Sequence, residues 1–447
     1  MFAAGKKTEV RRFDTLHLMK IAIIGAGAAG LSAAYDLVNA GHDVTVFEAG
    51  PKVGGLAAGF KAPHWDWTLE KFYHHWFQSD RHILGLIDEL GWRDDVLFPR
   101  PQTVVLHEDK FYPLDSPLAV LRFPGFSFFN RLRFGAVAAL LKAIPDGTVL
   151  EGETADAWLR RWMGSQVYET LLQPLLVSKF GKRYYRDVTM AWMWARIKAR
   201  TSRLGTFKGG FQTFLERFAR ELERRSVEIH LQQQVSEIES GPLNTIVLKT
   251  PSGPKSFDHC IATVSPRLLT KLAPQLTVPY REKLQSLRSM GAVVMVLALD
   301  RQLTDYYWFN LPKGVGYPFL ALVEHTNFVS AEHFGGDRII YCGDYLDADH
   351  EYFDLSKEEL VERFISVLPR FNPDFDRSWI KQTWLSRTKY AQPIPFINHS
   401  QNIPDLKTPL QGLWLASMSQ VYPWDRGTNF AVELGRKVAR RVLQESA

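Results

Sequence analysis

"IAIIGAGAAG", residues Ile21 to Gly30, runs a short apolar stretch straight into three glycines spaced by small residues. Lys20 to Ile24 reads as a short, fully buried strand of the kind found in parallel sheets. Beyond the glycines, Ala28 to Ala40 is rich in Ala and Leu and holds no Pro, so a helix starts there and stops at Gly41. Asp43-Val44-Thr45-Val46-Phe47 follows as a second, β-branched strand that ends on Glu48. The stretch is a βαβ unit with an acid 23 positions after Gly25.

Each part of that unit has a job in holding a dinucleotide. Gly25 permits the turn, Gly27 lets backbone N–H groups approach a pyrophosphate, and Gly30 lets helix and strand pack closely. The helix start at Ala28 and Ala29 adds unpaired N–H donors and a partial positive charge for the anion. Glu48, with Ala49 beside it, accepts hydrogen bonds from ribose hydroxyls and repels a 2′-phosphate, which argues against NADP. A tight strand-to-helix turn alone would explain the glycines, but not the second strand and its terminal acid.

The chain has 447 residues, 46% of them hydrophobic, enough for a large core and two domains. Thirteen Trp and 29 Phe suggest an aromatic-lined cavity beside ordinary core. The net charge of +6 is spread along the chain with no Lys/Arg tract, which gives no sign of a nucleic-acid partner. Cys260 and Cys342 are far apart and form no CxxC, so neither a disulfide framework nor a zinc site is indicated. The first 18 residues read as a loose extension without the apolar core of a signal peptide, and no stretch has 18 uninterrupted apolar residues. A cytoplasmic location is the expectation, with peripheral membrane attachment as its variant. GxSxG, Walker A and HExxH are all absent, so acyl, phosphoryl and zinc-hydrolase chemistries have no footing.

"KVGGLAAGF", Lys52 to Phe60, follows Glu48 closely and carries the Gly54-Gly55 pair. Together with "GAGAAGLSAAYDLVNAGHDVTVFEA" it resembles the N-terminal signature of the flavin amine oxidase, phytoene desaturase and protoporphyrinogen oxidase superfamily. UDP-galactopyranose mutases are similar in the same region. The resemblance implies FAD as cofactor and an α/β fold, a Rossmann-like FAD-binding domain with an interleaved mixed α+β substrate domain. Many oxidase members have Arg after the glycine pair; here it is Leu56.

Two later segments carry the same resemblance. Gly209-Gly210 opens a helix with Phe211, Phe214, Leu215 and Phe218 at three- and four-residue spacing, then a short strand and Gln234-Val235. In the resembled families the residue in Val235's place touches the adenine through its backbone. "FDHCIATVSP", Phe257 to Pro266, which contains Thr263, looks like the strand that returns beside the flavin. "GLWLASMSQVYPWDRGTNFAVELGRKVARRVL", Gly412 to Leu443, gives a strand, then a helix starting after Gly427 with Thr428 and Asn429. That helix start would face the flavin edge where negative charge grows on reduction. The families have Gly-Asp after this strand; here Ser417-Met418 stands there, with Ser417, Ser419 and Asp425 as open substitutes.

The implied layout is an extension (1–18), FAD-binding segments at 19–78, 205–270 and 400–447, a helical substrate segment at 79–204, and a sheet-forming one at 271–399. Over the flavin, "WDWTLEKFYHHWF", Trp65 to Phe77, offers His74, either as a proton carrier or as a satisfied core histidine. Its neighbour Glu70 would orient His74 or face solvent. A metal is disfavoured, because His74 and His75 are adjacent and no second pair sits at ligand spacing. Tyr422 in "QVYPWDRG" and Lys179 in "VSKFGKRYY" are further catalytic candidates, with core packing as the alternative. Val120 to Pro145 mixes Phe, Leu and Ala with Arg122, Arg131, Arg133 and Lys142. It reads either as a membrane-interface helix, which would favour a lipid or isoprenoid substrate, or as a packed helix of the substrate domain.

The expected function is hydride transfer between flavin N5 and a C–N or C–C bond of an apolar or amine-bearing small molecule. A non-redox sugar-nucleotide mutase is the second reading. A binding protein like the Rab GDP-dissociation inhibitors, which share this fold without catalysis, is the third.

Overall fold

The computed structural model of the protein describes residues 18–445, so all but Leu18 of the expected N-terminal extension lies outside the described residues. Lys20–Ile24 forms the middle strand of a five-stranded, all-parallel sheet. Asp43–Phe47 and Glu228–His230 lie to one side, His259–Ala262 and Leu413–Leu415 to the other. Side chains alternate across this sheet and both faces are covered, so the central positions are buried and, Thr45 apart, apolar. Helices Ala28–Asn39, Phe211–Arg224 and Thr428–Glu445 pack on one face. A three-stranded antiparallel meander, Glu237–Ser240, Ile246–Thr250 and Gly253–Phe257, packs on the other.

The small residues set how close these layers come. A Cβ on Gly30 would sit 2.0 Å from the Gly25 carbonyl oxygen, so the first helix lies directly on the glycine turn. A Cβ on Gly435 would sit 2.1 Å from the Ala29 carbonyl, which lets the C-terminal helix press against the first. Arg436 ties that contact at the surface, its guanidinium 3.1 Å from Asp36 and 2.7 Å from Glu89.

A second sheet of seven strands stands opposite the strand ends of the first. Its order is Ile380–Pro393, Ser289–Leu299, Arg338–Leu346, Ala321–Glu324, Trp308–Asn310, Thr103–His107 and Lys110–Pro113. The last two strands come from the segment expected to be helical. "TVVLH" is a buried β-branched run, and it joins the sheet by pairing in parallel with Trp308–Asn310. The remainder of that segment is helical, from Pro117–Arg122 to Met190–Ala199, around an aromatic core of its own. Gly164, at φ +84°, separates the helix Ala155–Met163 from the long helical run that ends at Tyr184. Among the described residues no helix is long and apolar enough to cross a membrane.

Candidate active site

A cavity of about 1220 Å³, counting the space open to solvent at its mouth, lies where the parallel strands end. The residues that follow three of those strands line it: Gly27, Thr263 and Ala416. Ligands in open α/β sheets bind at this carboxyl edge, outside the strand ends. The opposite wall belongs to the seven-stranded sheet, through Ala292, Val294, Tyr345, Thr388 and Tyr390, and to the Phe72–His74 loop.

The glycine positions divide into two roles. Gly25 holds φ +106°, and a Cβ there would meet Thr263 Oγ1 at 2.5 Å, so this turn admits no side chain. Gly27 has ordinary φ of −78°, and a Cβ there would meet nothing nearer than Gly55 Cα at 3.9 Å. Its bareness serves the cavity rather than the turn. Gly54, at φ +128°, donates its N–H to the Ala26 carbonyl at 2.9 Å, which seats the glycine pair against the first turn. Gly27, Ala28, Ala29, Gly54 and Leu56 line the cavity; Gly55 and Gly30 lie behind them.

Glu48 is fixed by two main-chain donors, Ala26 N–H at 2.9 Å and Gly50 N–H at 2.8 Å. One donor per oxygen leaves each with a lone pair for a ribose hydroxyl. The loop that carries buried Val235 is tied alongside, Gln233 N–H donating to the Glu48 carbonyl at 2.9 Å. Glu48, exposed Ala49 and Val235 therefore lie off the cavity, on the side where an adenosine half would extend. Gly27, Ala28 and Ala29 would hold the pyrophosphate, and Gly427 and Thr428, at the start of the 18-residue C-terminal helix, would face the ring system. The residues fit FAD.

Among the described residues, His74 is the one histidine lining the cavity. Its loop is pinned at both ends. Glu70 accepts the Phe211 N–H at 2.8 Å and its carbonyl accepts the Tyr341 hydroxyl at 2.8 Å; Trp76 Nε1 donates to Thr428 Oγ1 at 2.8 Å. His74 Nδ1 lies 2.5 Å from the Phe72 carbonyl. A carbonyl only accepts, so Nδ1 carries the hydrogen and Nε2 is the free acceptor. Burial lowers the imidazole to about 4, so the ring is neutral. His75 beside it is half-buried, and desolvation lowers it as well, to about 3.

Several sequence expectations are corrected here. Glu70 neither orients His74 nor faces solvent; it is buried at the start of the Phe211–Arg224 helix, and burial raises it to about 7. Tyr422 does not reach the cavity wall; its ring stands edge-on to His399, 5.1 Å away. Asn429 turns away from the cavity and accepts the N–H groups of His82 and Ile83, capping the Arg81–Glu89 helix. Ser417 is buried, and its hydroxyl and that of Ser419 both bond the Tyr390 hydroxyl, at 2.8 and 2.7 Å. Asp425 is engaged by Trp192, Gln392, Arg196 and the Arg426 N–H. None of the three open substitutes faces the cavity; Ala416 and Met418 line it instead.

Lys179 stands just behind the cavity wall, its Nζ 3.8 Å from the ring centroid of Tyr345. Tyr73, Tyr345, Thr388, Tyr390 and Arg426 complete the wall; the first four were not singled out from sequence, whereas Arg426, with Arg183 and Arg186, is an arginine that a phosphate-binding reading of the sequence would use. Ala292 and Val294, like Thr388 and Tyr390, share one strand face at a spacing of two, a signal that alternation alone contains.

A model of the family described as flavin-containing amine oxidoreductase matches residues 28–443. A 15-cis-phytoene desaturase from Glycine max is 22% identical over 463 residues, covering 96% of this chain and 80% of that protein. The structure of a reduced UDP-galactopyranose mutase superposes with TM-score 0.74 at 16% identity, covering 96% of each chain. A wild-type putrescine oxidase bound to putrescine superposes with TM-score 0.71 at 17% identity, covering 96% of this chain and 99% of the other. With a dinucleotide cradle that fits its cofactor and a family match over nearly its whole length, the chain belongs to the flavin-containing amine oxidoreductases, FAD-dependent enzymes.

Proposed function

We propose that this chain dehydrogenates a C–C or C–N bond of a small, largely apolar molecule. When bound, FAD supplies a two-electron acceptor at ring N5. The chain's own residues do the rest. Ala57, Phe72, Val264, Ala292, Val294 and Ala391 give the cavity an apolar lining that excludes water from a reacting carbon. Loss of hydride leaves an iminium carbon or a carbocation, and the carbocation becomes an alkene by losing a proton. His74 is neutral, with Nδ1 tied to Phe72 and Nε2 free, so it is equipped to take that proton. This pinned, neutral imidazole in an apolar cavity beside the dinucleotide cradle is the observation that carries the reading. The phytoene desaturase relative and the putrescine oxidase neighbour bracket its C–C and C–N forms.

Product analysis under turnover with an added quinone acceptor tests it. The expected product is two hydrogens lighter than its substrate, with one quinone reduced per product. Interconversion of nucleotide-sugar isomers by the reduced enzyme, with no acceptor consumed, would support the mutase reading instead. One observation favours that second reading: Arg426, an arginine in the cavity wall.

The same proposal includes a membrane surface as the place of work. Phe128–Ala143 buries Val137 and Leu141 and turns Phe128, Phe129, Leu132, Ala136, Ala139, Leu140 and Ala143 outward. Phe129 is 80% exposed and Phe128 66%. The preceding helix adds exposed Leu118 and Leu121. An outward apolar stripe over four helical turns, flanked by exposed Arg122 and Lys142, suits the headgroup region of an anionic bilayer.

A further inference from the structure

Two cations lie against one aromatic ring at the cavity wall. Lys179 Nζ lies 3.8 Å from the centroid of Tyr345, and the Arg426 guanidinium carbon lies 5.1 Å from the same centroid. Arg426 donates to the Tyr345 hydroxyl, but its Nε is shut off from solvent and has no partner among the described residues. Lys179 has the ring contact and no hydrogen bond among the described residues. The carboxylate nearest both is Asp425, and neither cation's side chain hydrogen-bonds it. Oδ1 accepts from Trp192 Nε1 at 3.1 Å, Gln392 Nε2 at 3.0 Å and the Arg426 N–H at 3.0 Å; Oδ2 accepts from Arg196 at 3.0 Å. Three cationic side chains thus share one acid. A half-buried pair of cations with free donors and one shared counter-charge is under-compensated unless something anionic joins it.

We infer that Lys179 and Arg426, both against Tyr345, form a recognition site for an anionic group of the substrate, a carboxylate or a phosphate. The site rests on the proposed use of this cavity for substrate, and it narrows that use. A protonated amine placed here meets like charge, and a pure hydrocarbon leaves the donors unpaired. A molecule with an apolar body and an anionic end satisfies both walls: the body lies against Ala292, Val294 and Phe72, the anion against the cations. Arg and Lys differ in what they add, the planar guanidinium fixing the anion's orientation and the ammonium adding a compact charge. Burial and the Arg426 charge push Lys179 well below its usual range, and a bound anion would hold its proton in place.

The test uses the oxidised holoenzyme and reads perturbation of its visible flavin absorbance, which needs no turnover. The probes are 3-phenylpropionate, 3-phenylpropyl phosphate, 3-phenylpropanamide and 3-phenylpropylamine. At least one anion is expected to bind about tenfold or more tighter than the amide, with the amine weakest. Which anion wins separates a carboxylate site from a phosphate site. Lys179→Met and Arg426→Met are each expected to erase about tenfold of the anion's advantage while the amide holds within about twofold, and Arg426→Lys to keep most of it. Bound FAD content and circular dichroism confirm that each variant is folded. Amide or amine binding as tightly as both anions, no perturbation by either anion, or an unchanged preference in the Lys179→Met/Arg426→Met double variant would overturn the inference. An anion preference in an enzyme that oxidises nothing would leave this site standing and remove the dehydrogenation reading.

Discussion

Gly27 and Gly30 sit three residues apart, and the structure assigns them opposite sensitivities. A Cβ at Gly27 finds ordinary contact, 3.9 Å to Gly55 Cα, at a φ of −78° that any residue adopts. Gly27→Val is therefore expected to fold, with its extra methyls occupying cavity space beside Ala28, Ala29 and Gly54. Holding the pyrophosphate away from two main-chain donors forfeits about 1.5–3 kcal/mol each, or about 10²–10⁴-fold in FAD affinity. A Cβ at Gly30 lands 2.0 Å from the Gly25 carbonyl oxygen and 3.2 Å from Ile23 Cγ2. Neither the turn nor the strand can yield, so Gly30→Ala is expected to cost about 3 kcal/mol or more of stability. Thermal melts of the apoproteins and FAD titrations by flavin fluorescence separate the two effects. The Gly27 variant is expected to melt within a few degrees of wild type and to need far more FAD. If it binds FAD as tightly as wild type, or melts as low as the Gly30 variant, the division of roles is wrong.

Removing His74 as proton acceptor, as in His74→Ala, is expected to slow flavin reduction by about 10²–10⁴-fold. The neutral ring implies a wild-type reduction rate that is level from about pH 5.5 to 8 and falls only toward about 4; a break at the ordinary histidine value of 6.5 would contradict its buried, neutral state. Glu70 binds its proton more tightly folded than unfolded, so stability falls as pH rises from 4.5 to about 7 and is level above. Glu70→Gln is expected to raise stability at about pH 8 by up to about 3 kcal/mol relative to wild type and to add nothing near 4.5, measured by chemical denaturation at both pH values. Wild type is expected to co-sediment with anionic vesicles and to be released as salt rises, whereas Phe129→Asp/Leu132→Asp stays in solution; equal sedimentation of both proteins would reduce the outward stripe to a bare surface.

What was legible in the sequence was local. The glycine spacing, the apolar strands and the terminal acid of the first βαβ unit depend on neighbours a few residues apart, and the structure has that unit at those positions. The helix beginning at Phe211 buries the four residues its spacing marked. The site is harder to read because strand pairing builds its far wall. Tyr345 and Tyr390 meet only through a sheet whose register is set by pairings about 40 to 100 residues apart, and Tyr73 joins them from a loop far earlier in the chain. A motif also places a backbone without saying which way each side chain turns. Thr428, Ala431 and Leu434 share the cavity face of one helix, and Asn429, one position on, is rotated onto the Arg81–Glu89 helix. Tyr422 fails for the same reason. Thr103–His107 was missed although it forms a local hairpin with Lys110–Pro113, because helix-rich flanks obscured this short pair and its link to the sheet, Trp308–Asn310, lies some 200 positions away.

The most direct measurement mixes oxidised holoenzyme with substrate under anaerobic conditions and follows the visible flavin band. The amphiphilic anions of the binding series, extended with a saturated C–C or C–N bond that can be dehydrogenated, are the molecules to try. Bleaching of the band is expected, with one equivalent of a product two hydrogens poorer for each flavin reduced. A band that persists through every such donor, in an enzyme that works only once reduced and consumes no electrons, would contradict the account.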